Sequence, residues 1–157
     1  MTFVGTKVTR EQAKRLTVRR QLYEKALAGK LEGKFVLVVG DRPGPSAPKD
    51  PGYHHTPFYS IKHCSGWLNR LLDAHEIPEE KLLWINSTLA DGTPFDARKV
   101  EDNIRIIVAL GGNAEKWVKA NFDDRVFAKV HHPQYWKRFR SKEPYPLIEI
   151  LRGVARG

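Results

Sequence analysis

The chain is expected to fold as an α/β three-layer sandwich around a central, mainly parallel four-stranded sheet, and three observations carry that expectation. Residues 35–39 (Phe-Val-Leu-Val-Val), 82–86 (Leu-Leu-Trp-Ile-Asn), 104–110 and 126–130 are short apolar runs with little polar alternation. A strand covered on both faces needs no such alternation. Amphipathic stretches separate the runs, and strands that alternate with helices build a parallel sheet with helices on both faces. The runs also stop abruptly: Gly40-Asp41 follows the first, Asn86 ends the second, Gly111-Gly112 follows the third and His131-His132 the fourth.

Size and composition bound the rest. At 157 residues with 41% apolar content and four tryptophans, the chain suits one domain with a substantial core and excludes wholesale disorder. No apolar run approaches the roughly 20 residues that span a bilayer, and no signal-peptide core opens the chain. A cytoplasmic monomer with no membrane partner is therefore expected. The single cysteine, Cys64, excludes an internal disulfide and a cysteine-rich metal or iron–sulfur site. His54-His55 and His131-His132 lack a carboxylate or cysteine at ligand spacing, so no metal is expected. Twenty-seven Lys and Arg against eighteen Asp and Glu give a net charge of +9. That excess favours a polyanionic partner, with nucleic acid first among them.

Taken in order, residues 7–30 form a basic amphipathic helix, with Thr9 as N-cap and Gly29 closing it. Its Arg15, Arg19, Arg20 and Lys25 make either a solvated face or a phosphate-contacting one. Strand 35–39 leads into residues 41–60, a loop rich in Pro, Gly, His and Tyr of a length usual for functional or mobile loops. Ile61 to His75 reads as a helix with Trp67, Leu68, Leu71 and Leu72 inward, and Ile77-Pro78 ends it. Strand 82–86 follows. Asp96 to Asn103 is expected to be helical, 104–110 is the clearest strand, and Asn113 is expected to cap a helix over 114–121. After strand 126–130 and the His-His-Pro-Gln-Tyr-Trp segment come Lys137, Arg138 and Arg140, then a last helix near Pro146–Val154.

Asp41, Asn86 and His132 thus fall at three strand exits. In open α/β sheets that edge carries the ligand crevice, so three polar side chains there predict a site.

Five segments in this order resemble the uracil-DNA glycosylase superfamily across roughly residues 35 to 152. They are Gly40-Asp41-Arg42-Pro43-Gly44, then Pro57-Phe58 with Ser65-Gly66-Trp67-Leu68, then Leu82-Leu83-Trp84-Ile85-Asn86, Ile107-Val108-Ala109-Leu110-Gly111, and His132-Pro133-Gln134. The resemblance implies a base flipped out of DNA, stacked on Phe58 and read along its hydrogen-bonding edge by Asn86. It implies that His132 donates to the base oxygen as charge develops there. Asp41 would stabilise the sugar cation or orient water. No metal or redox cofactor is implied. Trp136 stands where relatives carry an intercalating side chain, the alternative for it and Tyr135 being core packing, with Arg42, Gln134, Lys137, Arg138 and Arg140 as further DNA contacts.

The chain also departs from that pattern. Asp41 stands where the iron–sulfur branch has glutamate, Arg42 follows it as a bulky cation able to pair with it, and Gln134 replaces a serine. The thymine-excluding tyrosine has only Tyr53 and Tyr59 as candidates. A non-catalytic protein of the same fold that binds nucleic acid or a modified base is the alternative these departures motivate. A nucleotide-binding domain using the Gly111-Gly112-Asn113 turn is a third.

Overall fold

The computed structural model describes residues 2–3, 6–7, 9–42, 55–60 and 63–156. Strands β1 (Thr2–Phe3) and β2 (Thr6–Lys7) make a short antiparallel pair ahead of helix α1 (Arg10–Leu27). The remaining elements are β3 (Phe35–Gly40), α2 (His63–Ala74), β4 (Leu82–Asn86), β5 (Ile104–Leu110), α3 (Gly112–Asn121), β6 (Ala128–Val130), α4 (Pro133–Arg140) and α5 (Pro146–Arg156). The four-stranded sheet has the order β4-β3-β5-β6 and is parallel throughout.

Successive side chains of a strand point to opposite faces, and the core divides accordingly. Leu37, Val39, Leu83, Ile85, Ile107 and Ala109 face α1 and α3, where Tyr23, Ala26, Trp117 and Val118 cover them. Val36, Val38, Trp84, Val108 and Leu110 face the other way, against Leu68 and Leu72 of α2, Trp136 of α4 and Leu147 and Leu151 of α5. Helices on both faces make the three-layer α/β sandwich that the strand spacing predicts.

The order also fixes a switch point. The chain leaves β3 for β4 on one side and returns to β5 on the other, so the connections after β3 and β5 diverge. In such sheets the crevice opens at the carboxyl ends of the two strands flanking the reversal. Asp41 leaves β3 there, and Gly111 leaves β5.

Helix α1 starts as expected: the Thr9 side chain accepts from the Gln12 N–H. It ends on Gly29 at φ 69°, with the Gly29 N–H donating to Ala26 O and the Lys30 N–H to Lys25 O. A left-handed residue closing the last carbonyls in this way is where glycine costs least.

Four expectations need correction. Residues 96–103 form two single 3₁₀ turns, Ala97–Lys99 and Glu101–Asn103, because the Asp96 side chain caps the Arg98 N–H and the segment lacks a second helical turn. The fourth strand is only Ala128–Val130. The segment after His132 is a helix, α4, started by His132 as N-cap and Pro133 in the first turn. Finally, Asn113 does not cap α3; Gly111 at φ 93° takes that position.

Arg15 and Arg19 overturn both readings of the basic helix face. They are 8% and 1% exposed, buried where α1 meets α2 and the β4 edge. Arg15 pairs with Asp73 of α2, and Arg19 pairs with Glu79, which also accepts from the Trp84 indole N–H. The Arg19 guanidinium lies 4.5 Å from the centre of the Trp84 ring. Long cationic side chains at helical spacing look alike in sequence whether they meet water or a carboxylate 60 residues away. Arg20, by contrast, stays exposed and pairs with Glu24 one turn on.

Candidate active site

Three strand exits meet around Gly40. Hydrogen bonds continue the β3–β4 ladder beyond the strands: the Ser87 N–H donates to Gly40 O, while the Thr88 N–H and Ser87 Oγ both donate to Asp41 O. Asp41 is therefore held by its backbone, and its half-buried carboxylate is left to face the crevice. Asn113 donates from Nδ2 to Asp41 Oδ1 at 3.1 Å, across 72 residues of sequence. That bond bridges the switch point.

Asn86, the last residue of β4, is 6% exposed. Its Oδ1 lies beside Gly40, so close that a Cβ on Gly40 would sit 2.7 Å from it and 3.0 Å from Phe58 Cε2. Among the described residues no group hydrogen-bonds the Asn86 amide. Among the described residues its donor and acceptor are thus both left able to meet a ligand. Gly40 is glycine here because the backbone passes between an amide and an aromatic ring. Gly40→Ala is expected to displace Phe58 or Asn86 and to destabilise the fold by about 1–3 kcal/mol. Urea denaturation of the purified variant, followed by tryptophan fluorescence, measures it; wild-type stability would refute the close-approach account.

Phe58 has φ 54°, a left-handed conformation that costs a non-glycine residue of order 1 kcal/mol. Two side chains hold it there. Arg19 Nη1 donates to Phe58 O at 3.0 Å, and Asn69 Nδ2 donates to the same oxygen at 3.1 Å and to Ser60 O at 3.1 Å. The ring packs edge-on against Trp84, with centroids 5.5 Å apart, and lies 5.7 Å from the His132 ring. Arg19, Asn69 and Trp84 thus form the support for this aromatic side chain.

His132 reaches the rim from β6. The Gly111 N–H donates to Val130 O, and the positive φ of Gly111 lets its backbone pass the His132 Cβ. The Gln134 N–H donates to His132 Nδ1 at 3.1 Å. With Nδ1 as acceptor, the neutral ring carries its proton on Nε2, where it is a donor. Burial holds the imidazole below its ordinary value, and the nearby Asp41 carboxylate works weakly in the other direction. The side chain is thus neutral at pH 7.

Asp41, Phe58, Asn86 and His132 are accordingly brought to one rim. The other candidates divide. Arg42 and Gln134 are exposed at its edge. Among the described residues, Arg42 makes no ion pair with Asp41. Lys137, Arg138 and Arg140 lie on the exposed side of α4. Trp136 does not. It is 9% exposed, packs in the core between the sheet and α5, and donates from Nε1 to Glu143 O. The intercalating role for Trp136 is therefore withdrawn: the turn of α4 sends it inward, and the exposed rings are Tyr135 and Phe139. Pro43, Gly44, Tyr53, His54 and the expected helix start at Ile61 lie outside the described residues. Two shallow clefts elsewhere, one under Val36, Ile77 and Leu151 and one under Trp67, His75 and Tyr145, contain none of the four rim residues.

Sequence reasoning missed Asn69 altogether and gave Asn113 and Arg19 other roles than the ones they have at this rim. Asn113 carries a signal that was open to reading, since it follows the Gly-Gly exit of the third strand and so lies at the same edge. Arg19 and Asn69 carry none, because their task is set by a carbonyl 39 and 11 residues away. Comparison with protein-family models, curated proteins and solved structures finds no match.

Proposed function

We propose that this chain is a DNA glycosylase that hydrolyses the N-glycosidic bond of uracil or a related modified pyrimidine, turned out of the stack into the rim around Gly40. The observation that carries this reading is the Asn86 amide, without a hydrogen-bond partner among the described residues, beside an aromatic ring and an imidazole that burial keeps neutral. A pyrimidine with a carbonyl beside an N–H offers the acceptor and donor that one amide satisfies, and a cytosine edge reverses the pair. Phe58, held rigid from behind, supplies a stacking face.

The chemistry follows from the charges. Breaking the C1′–N bond sends the electron pair to the base and leaves a cationic sugar. A neutral His132 donating from Nε2 to the base carbonyl stabilises the developing anion without having to give up a proton. Asp41, fixed by Ser87, Thr88 and Asn113, faces the sugar, where its negative charge offsets the cation and its oxygen orients the water that adds to C1′. The products are the free base and an abasic sugar.

Oligonucleotides carrying uracil, hypoxanthine or hydroxymethyluracil, single- and double-stranded, test this directly through alkaline cleavage at abasic sites. Release of at least one of these bases is expected. Binding without release would select the non-catalytic alternative, and no release from any substrate overturns the enzymatic reading.

A further inference from the structure

The surface that leaves the rim along α4 is unlike the rest of the molecule. Tyr135 and Phe139 are four residues apart on one side of the helix, and His131, just before its N-cap, extends their row. The His131 and Tyr135 rings are stacked, 4.4 Å apart at 22°, and Tyr135 and Phe139 are 5.1 Å apart at 47°. Tyr135 is 38% and Phe139 63% exposed, and with Val126 they make up the large apolar side chains exposed among the described residues. An aromatic row of this kind in water needs an occupant.

Charge indicates which one. Arg138 lies 5.4 Å from the Phe139 ring, Arg140 is exposed on the same helix and pairs with Glu143, and Lys137 and Lys142 are exposed nearby in sequence. The chain as a whole carries +9, which opposes a second copy of itself on this face. Rings for stacking between cations for phosphates is the composition of a single-strand binding surface, where each base presents a π-face whatever its identity. The row starts at the residue next to His132. Successive ring centroids are 4.4 and 5.1 Å apart, so the row is under about 10 Å long, enough for about two nucleotides beside the target at a stacking spacing of about 3.4 Å.

We propose that His131, Tyr135 and Phe139 form a stacking platform for unpaired nucleotides flanking the target base, so that the site takes its substrate from single-stranded DNA. This rests on the glycosylase reading for the identity of the target, but the platform itself is independent of catalysis. The backbone of the row is braced from within: the Tyr145 hydroxyl donates to His131 O, and Trp136 is fixed in the core.

Fluorescence anisotropy with a labelled oligothymidine, which holds no cleavable base, separates the two claims. Wild-type protein is expected to bind the single strand at least tenfold more tightly than a duplex of equal length at the same salt concentration. Phe139→Ala and Tyr135→Ala are each expected to lose about tenfold in single-strand affinity and little on duplex, with unchanged circular dichroism. Phe139→Leu keeps an apolar side chain without a π-face and should behave like the alanine variant. Equal losses on single strand and duplex, or wild-type affinity in the variants, overturn the platform. So does wild-type affinity accompanied by loss of self-association in sedimentation, which would assign the face to a second copy. A protein that binds oligothymidine as expected but releases no base keeps the platform and loses the glycosylase reading.

Discussion

Replacing His132 with alanine is expected to slow base release by about two to three orders of magnitude, the usual effect of removing one preorganised donor to a developing anion. Asp41→Asn is expected to cost about two to four orders, since it keeps the Asn113 contact but removes the charge proposed to offset the sugar cation. Single-turnover rates on a uracil oligonucleotide measure both. The two should not add, because each acts on the same charge separation. The pH profile is a separate signature. Burial lowers the folded-state value of His132, so the imidazole stays neutral at pH 7 and becomes charged only as pH falls through that lowered value. Charging favours the acid form in the unfolded chain first. Between the ordinary histidine value and the lowered one, the unfolded state binds more protons, so stability rises with pH across that window and declines on acidification. In His132→Gln that contribution to the acid dependence of stability should vanish. A titration of the His132 ring by NMR that places it above its ordinary value would contradict the neutral-donor mechanism.

Glu79→Ala is expected to destabilise the fold by about 3–5 kcal/mol, the cost of leaving buried charges without their partner. Glu79 is 4% exposed and pairs with Arg19 and Arg15 while accepting from Trp84. Burial pushes the Glu79 carboxyl up and the Arg19 guanidinium down, and the attraction between them opposes both shifts. Removing the carboxylate leaves the buried Arg19 guanidinium without an anionic partner beside the Trp84 ring, while Arg15 keeps Asp73. Against a total of about 5–15 kcal/mol, that is a large fraction. Glu79→Gln retains an acceptor for the indole and should lose less. Urea denaturation gives both values, and a loss under about 1 kcal/mol for Glu79→Ala would show that water or a rearranged Asp73 replaces the carboxylate. Because Arg19 also holds Phe58 O, the same variant should loosen the aromatic support.

The fold was legible because its strands are covered on both faces. Phe35–Gly40 and Leu82–Asn86 are buried along their whole length, so their apolar runs stand out from the amphipathic segments around them. Helix α4 was hidden by Pro133, which suggests a break yet serves as the first helical residue behind a histidine cap. Of the rim, Asp41, Phe58, Asn86 and His132 could be placed from strand exits and motif order. Trp136 could not, because whether the sixth residue after a strand faces core or water depends on a helix that was not foreseen. The charges of α1 failed for a related reason: Glu79 supplies their partner from a distant turn, and only the folded chain brings the two together.

One further consequence comes from the width of the sheet at its far edge. Strand β6 has three residues and a single neighbour, whereas β3 is paired on both sides. Local opening costs least where pairing is shortest. The acid of the rim therefore follows the strand that parts last, the imidazole follows the one that parts first, and the amide sits on the longer edge strand β4. On warming, amide exchange should free residues 128–130 before 35–40, and a preparation could lose its donor while every far-ultraviolet signal of the sheet remained.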